Sequence, residues 1–505
     1  MFARTDLPER HRSRPGPAPT APAALTEPAA LTEPAALKAP VPPPPRAAAT
    51  APPRRGRMLA VLLAAPFMAQ ADATIANVAG PSIRAGLHAS GAELELVIGG
   101  YLIAFAMLVI TGARLGHSHG YRRVFLAGIA GFTAASLACA LAPSPVVLIA
   151  ARVIQGGAAA MMFPQALTGI QLHYAGADRY RAIGRYAMAL SAGAVTGQIA
   201  GGALIAANLA GSGWRAIFLI NIPVGVAVLA AARWLPADGA RRTQRLDLRG
   251  IAVLCGAALL LLLPLVLGRS QGWPAWTWAC LAASLPAAAG FVLVERRVAA
   301  RAGSPLVNVA VLARPAVAWA LLTLVITTGS YLALLFTLAQ YLQAGLGRSP
   351  VVSGLTLISW VAAFGLAGRL AGRLPERLRP RLPVAGCLLL ATAFLAVSGS
   401  LFAGWDGEPL LVVFLGGGGL GLGLVFGALT SHLTHAVPPG YAADISGVAT
   451  TGGQIGGAVG VAAAGTLYLS LAQGSGAATA TRAFAVTTAA LGAAALAALL
   501  TARTA

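Results

Sequence analysis

The sequence predicts an all-α integral membrane protein: fourteen transmembrane helices, arranged as two pseudo-symmetric six-helix bundles with two further helices inserted between them. Three observations predict it. Apolar residues make up 57% of the 505-residue chain, charged residues only 10%, and mean hydropathy is +0.75, a composition foreign to water-soluble globules. Fourteen stretches approach the roughly 20 apolar residues that cross a bilayer as a helix. Short sequence fragments recur eight spans apart.

In chain order, residues 1–57 read as a disordered cytoplasmic tail, with two copies of Ala-Leu-Thr-Glu-Pro-Ala (Ala24–Ala29 and Ala30–Ala35) and a proline run, Pro42–Pro45. The first apolar run is too long for a signal peptide, so no cleavable leader is expected. Spans 1 to 6 fall at 58–80, 94–112, 124–142, 146–170, 185–207 and 216–235, within an N-terminal bundle of 58–236. Spans 7 and 8, at 250–267 and 276–294, form the insert of 237–302; they have no counterpart in the repeat and are expected to pack outside the central cavity. Spans 9 to 14 fall at 316–340, 351–372, 382–402, 410–431, 445–470 and 483–501, within a C-terminal bundle of 303–505.

Orientation follows from the basic residues, which collect on cytoplasmic loops. With the N-terminus inside, the tail and inner loops hold 30 of the 36 basic residues, and the outer loops hold five, Arg84, Arg215, Arg269, Arg348 and Arg482. An even number of spans preserves this alternation, so both termini are expected in the cytoplasm. The net charge of +21 is thereby a matter of topology, and nucleic acid is not an implied partner. A single lysine, Lys38, against 35 arginines suggests a GC-rich bacterial genome, hence a bacterial inner membrane. Cys139, Cys255, Cys280 and Cys387 each lie in a different span and read as small buried hydrophobes; no metal site is expected.

Two repeats carry the pseudo-symmetry. Gly197-Gln198-Ile199-Ala200-Gly201-Gly202-Ala203 in span 5 returns as Gly453-Gln454-Ile455-Gly456-Gly457-Ala458 in span 13, and Ala113-Arg114-Leu115 after span 2 returns as Gly368-Arg369-Leu370 after span 10. Duplicated bundles are a habit of transporters, whose sites lie between the repeats. The glycine run at Gly416–Gly423 imitates a nucleotide loop, but it sits inside an apolar span, where close helix packing is the physical reading. No P-loop exists, and the lone lysine sits in the tail, so ATP does not drive this chain.

Only Asp72 and Arg152 fall well inside the apolar runs. A charge in hydrocarbon costs about 2.5–3.5 kcal/mol or more, so such residues mark ion or substrate pathways by default. Asp72 lies about 12 Å from the outer end of span 1 and Arg152 about 9 Å from that of span 4, so their depths agree. A facing arginine favours the charged carboxylate, while a dry environment favours the neutral acid. Alternation between the two is what proton coupling requires. The pair could instead glue spans 1 and 4 together or read a substrate's charge. On a helical wheel Gln70, Thr74, Asn77 and Pro81 share one face of span 1 and Asp72 points nearly opposite, so both faces cannot line one cavity. Thr74 and Asn77 are therefore rival site residues. Gln155 shares the Arg152 stripe and could bond the same partner. Further cavity candidates are the repeat-related Gln198 and Gln454 and, among aromatics, Tyr101, Tyr331 and Trp360, with Phe67, Phe336 and Phe364 beside them.

Several segments together resemble the fourteen-helix drug:proton antiporter branch of the major facilitator superfamily. These are Asp72-Ala73-Thr74-Ile75-Ala76-Asn77-Val78-Ala79-Gly80-Pro81, Arg152-Val153-Ile154-Gln155-Gly156, Trp214-Arg215-Ala216-Ile217-Phe218-Leu219-Ile220-Asn221-Ile222-Pro223-Val224-Gly225, and Tyr341-Leu342-Gln343 with Gly347-Arg348-Ser349-Pro350 and Gly354-Leu355. The resemblance covers 58 to about 502 and implies multidrug efflux by alternating access: a secondary active transporter rather than an enzyme, without cofactor, driven by a proton gradient and working on a hydrophobic neutral or monocationic small molecule; a monomer is expected. It also implies a cytoplasmic gating loop at His117, Gly120, Arg122 and Arg123. There the family's usual acidic residue is His117 and its following arginine is Ser118. The Gly-Pro of antiporters in span 5 is Gly197-Gln198 here, and a tryptophan common near the start of span 2 is Leu96. These departures leave open a metabolite transporter of the same fold with different coupling. A polytopic enzyme or sensor needs clustered acids or histidines at one membrane face, or a sizeable soluble domain, and the sequence offers neither.

Overall fold

A computed structural model describes residues 55–504 except 209–210, 238–246, 269–270, 302–308, 406–407, 437–441 and 473–475, so nearly all of the expected 1–57 tail lies outside the described residues. Fourteen helices among the described residues are long and apolar enough to cross a membrane, one for each stretch read from the sequence. The first four are single helices: α1 Arg55–Leu87, α2 Gly91–His119, α3 Tyr121–Ala140 and α4 Pro145–His173. Helix α1 thus starts within the basic cluster Arg55/Arg57, three residues before the expected boundary. Helix α5 is Gly176–Ala207, and span 6 is broken into α6 Ala216–Leu219 and α7 Asn221–Ala230. The insert is α8 Leu248–Leu267 and α9 Ala275–Ala300. Then follow the short α10 Val309–Leu312, α11 Pro315–Ala339, a tenth span divided into α12 Pro350–Thr356 and α13 Ile358–Arg373, α14 Leu382–Phe402, α15 Glu408–Ala436, α16 Ala442–Leu471 and α17 Ala477–Thr504.

Local chemistry sets several ends. At α2 the Ser90 hydroxyl accepts from the Glu93 N–H at 3.3 Å, and the Glu93 carboxylate accepts from the Ser90 N–H at 2.8 Å, a reciprocal capping box. Ser-Pro opens both α4 and α12: Ser144 and Ser349 accept from the third residue's N–H, and the proline occupies the first turn, where its missing N–H costs nothing. Gly120 joins α2 to α3 at φ 97°, a conformation that suits glycine.

Lipid offers no hydrophobic drive between helices, so small residues and close approach decide the packing. Gly193 and Gly197 of α5 lie on the α1 backbone at Phe67 and Ala71, and Gly456 and Gly460 of α16 lie on the α11 backbone at Val325 and Gly329. The packing repeats as the sequence does: α1 with α5, α2 with α4 and α3 with α4 return as α11 with α16, α13 with α15 and α14 with α15, eight spans on. Within the glycine run, Gly418 and Gly419 admit Trp360, and Gly421 meets Gly386, as helix packing requires.

The bundles meet along two seams. In one, α5 packs against α12, α13 and α15; in the other, α2 packs against α16. Helix α8 lies across the second seam, its Ala258 and Leu262 packed with Ile103 and Ala106 of α2, with Ala458 of α16 against the same cluster. Helix α9 packs chiefly on α8 and turns Leu285, 74% exposed, outward. Beyond the apolar run of span 8, Glu295 near the end of α9 is a further fully buried charged residue. It packs on Gly250 at the start of α8, where Asp247 caps the helix. The apolar run ends one residue short of Glu295, whereas the helix continues to Ala300.

Candidate functional site

Asp72 and Arg152 meet inside the N-terminal bundle, 1% and 0% exposed, with the guanidinium Nη1 donating to the Asp72 Oδ2. The second carboxylate oxygen accepts from Gln155 Nε2 at 2.9 Å and from Asn221 Nδ2 at 2.8 Å. Gln155 also donates to Ser136 Oγ at 2.8 Å and accepts from Arg152 at 2.7 Å. Arg152 Nε donates to the Val97 carbonyl at 3.0 Å, and its guanidinium lies over the Tyr101 ring, 4.4 Å from the centroid, with Phe218 at 5.7 Å. Five membrane helices supply this knot: α1, α2, α3, α4 and the broken sixth span. It exists because a buried carboxylate must have its lone pairs satisfied, and a charged pair in hydrocarbon persists only with such geometry.

A separate cavity of about 110 Å³ lies between the bundles. Gln70 of α1, Phe163 and Gln171 of α4 and Tyr186 and Ser191 of α5 face Thr328 and Tyr331 of α11, Phe364 of α13, Phe426 and Thr430 of α15 and Thr450 and Gln454 of α16. Among the described residues no charged side chain lines it. Aromatic and aliphatic walls with a few hydroxyls and amides are the usual make-up of a small-molecule site.

The sequence-derived candidates divide between these places. Tyr331 and Gln454 line the cavity. Gln155 and Tyr101 do not; they belong to the Asp72 knot, with the Tyr101 hydroxyl donating to the Ala69 carbonyl at 3.0 Å. Trp360 stands behind the wall, stacked on Tyr331 at 5.3 Å. Thr74 ties α1 to α5 through the Ala194 carbonyl at 2.9 Å, Asn77 is exposed beyond the cavity, and Gln198 is buried with its Oε1 lacking a hydrogen-bond partner. Phe67 and Phe336 are absent from the lining. Asn221 and Ser136 are members of the knot that sequence reasoning missed. Asn221 stands inside the Trp214–Gly225 motif, and its polarity in an apolar run is the one signal available. Phe163, Tyr186 and Phe426 were likewise missed in the cavity.

Rings join the two places. Tyr101 stacks on Phe105 at 6.3 Å, Phe105 meets Phe163 edge-on at 5.2 Å, and Phe163 meets Tyr186 at 6.0 Å; Tyr186 stacks on Phe426 of the other bundle at 6.5 Å. In the loop segment 117–123, Ser118 Oγ contacts His119 Nδ1 at 2.8 Å and Arg122 donates to the Ala232 carbonyl at 3.3 Å, beside the end of α7. His117 is half-buried at the end of α2, and Arg123 follows Arg122 in the first turn of α3. Across the bundles, Ser431 donates to the Tyr180 hydroxyl at 2.9 Å and Arg379 lies over the Tyr180 ring at 5.2 Å.

A family model described as Major Facilitator Superfamily matches residues 62–461. A protein named "Probable actinorhodin transporter" from Streptomyces coelicolor is 37% identical over 83% of this chain and 73% of its own length. "Tetracenomycin C resistance and export protein" from Streptomyces glaucescens is 33% identical, over 82% and 77%. Among solved structures, the human organic anion transporter MFSD10 superposes with a TM-score of 0.60 at 18% identity, covering 89% of this chain and 100% of that one. The proton:xylose symporter XylE gives 0.59 at 13%, covering 87% and 94%.

Proposed function

Since the chain belongs to the Major Facilitator Superfamily, we propose that it is a proton-coupled exporter of an uncharged, aromatic, drug-like small molecule, working by alternating access. The observation that carries this reading is the division of α1 into two faces, with Asp72 buried in the N-terminal bundle and Gln70, two residues earlier, lining the cavity. Protonation of Asp72 frees Arg152, Gln155 and Asn221 from their shared acceptor and loosens α1 against α4 and the sixth span. The opposite face of the same helix then moves against the substrate. The ring series from Tyr101 through Phe105 to Phe163 gives the guanidinium a packed route to the cavity wall. Energy comes from the proton gradient, each charge crossing 100 mV being worth about 2.3 kcal/mol.

The uncharged substrate follows from the lining. A cation or anion in the cavity would face no opposite charge, whereas aromatic walls, Gln70, Gln454 and the hydroxyls of Thr328 and Thr450 suit a flat solute with a few polar atoms. Relatives bearing the names of antibiotic exporters favour outward transport of a toxic compound. Location in a bacterial plasma membrane, both termini cytoplasmic, and a monomeric working unit belong to the same reading.

The test uses proteoliposomes. Counter-movement of protons on addition of substrate, and loss of pH-gradient-driven transport in Asp72→Asn with membrane insertion intact, are the expected results. Substrate movement without proton flux overturns the coupling. A panel of toxic compounds, scored by growth with and without the gene, identifies the exported class. Gly197-Gln198, standing where antiporters of this type carry Gly-Pro, favours one rival, a metabolite transporter with another coupling; proton-independent flux of a polar metabolite would establish it.

A further inference from the structure

On the arginine-rich side of the molecule, α5 and α13 touch at Gly184 and Gly368, each small enough to let the two backbones meet. Beside that contact a cleft of about 640 Å³ is lined by Arg181 and Arg185 of α5 and by Arg369 and Arg373 of α13. Each pair is spaced i, i+4 and so occupies one face of its helix. The glycine contact sets both pairs at one level, so four guanidinium groups from two different bundles crowd one groove. Their counter-charge is thin. Arg181 reaches Asp178 at 3.1 Å, with both side chains more than half exposed, and among the described residues Arg185, Arg369 and Arg373 make no hydrogen bond or ion pair.

The groove is not only basic. It continues along α13 through Leu366, Ala363 and Ala362, the last about 10 Å deeper than Arg369, and along α5 to Met188. Leu366 and Met188 are 45% and 39% exposed, and they open the groove sideways to hydrocarbon. A basic mouth above an apolar trough open to lipid matches one occupant in both parts: an anionic phospholipid, its phosphate among the arginines and an acyl chain along the trough. A soluble phosphate fills the mouth alone and leaves the trough empty.

We propose that the α5/α13 seam is a binding site for an anionic phospholipid, and that this lipid bridges the two bundles. Closing the seam brings like charges from separate bundles together, which opposes closure; the phosphate supplies the missing counter-charge. Lipid binding thereby favours the closed seam and makes the transport cycle sensitive to bilayer charge. The site is distinct from the central cavity, with which it shares no lining residue.

The experiment uses the full chain, purified and relipidated in nanodiscs of phosphatidylglycerol, phosphatidylcholine or a mixture. Retained lipid is read by native mass spectrometry, and thermal stability is followed in parallel. The expected result is preferential retention of phosphatidylglycerol, falling about a hundredfold in Arg185→Gln/Arg369→Gln/Arg373→Gln, since each basic side chain near an anionic group is worth about fivefold. Arg369→Lys/Arg373→Lys, which keeps the charge, should retain the lipid and guards against a folding defect. Arg296→Gln/Arg297→Gln, which removes exposed charge elsewhere, should retain it as well. Equal retention of the two lipids, undiminished retention in the triple variant, equal loss in the α9 control, or stabilisation by inorganic phosphate alone matching that by phosphatidylglycerol each overturns the proposal.

Discussion

Asp72 draws its three partners from two helices: Arg152 and Gln155 on α4, and Asn221 at the start of α7. Removing one donor leaves a lone pair buried without a partner, which costs about 1–3 kcal/mol. Asn221→Ala is therefore expected to lower the Tm measurably while keeping the fold, read by fluorescence-detected thermal melting. Arg152→Ala is harsher, because it leaves an uncompensated buried carboxylate at about 3–5 kcal/mol. Adding Asp72→Asn to it should recover much of the lost stability without restoring transport. Both measurements separate the two functions of the pair, and a double mutant no more stable than Arg152→Ala contradicts the geometry. Asp72 and Arg152 were legible in sequence because a charge in an apolar run is conspicuous and helix rise gives its depth. Asn221 and Ser136 carry no charge and stand out far less. Gln155 was legible as a partner of the same carboxylate from its place on the Arg152 stripe, whereas a helical wheel does not say which neighbour the Tyr101 ring meets.

At the level of elements, length and hydropathy expose all fourteen spans, because lipid demands a continuous apolar helix of near-fixed length. What hydropathy does not show is where a span breaks: the division of span 6 into α6 and α7, which sets Asn221 at a helix start, leaves the apolar run unchanged. The C-terminal end of span 8 likewise runs past the apolar stretch, through Glu295 to Ala300. Close approach was legible as glycine content but not as pairing, and Gly184 with Gly368 illustrates this. Gly368→Val places a branched side chain against the Gly184 backbone and is expected to hold the α5/α13 seam apart. Overpacking of this kind costs about 1–3 kcal/mol, so the protein should still insert. Cysteines placed on α5 and α13 should then lose cross-linking, with transport falling in step. Unaltered cross-linking contradicts the assigned contact.

For the whole molecule, the arginine distribution predicts an orientation that the fold leaves to experiment. Alkaline phosphatase fused after Gln271 should be active outside and the same enzyme fused after Arg301 inactive. Reversed activities invert the topology and remove the proposed export direction. Helix α8 has a larger consequence than its place as an insert suggests. It covers the α2/α16 joint between the halves, while the α5/α13 joint carries the basic cleft along its side. The two flanks are therefore unequal, and a molecule dissolved in the leaflet meets a covering helix on one of them and the basic-mouthed groove on the other.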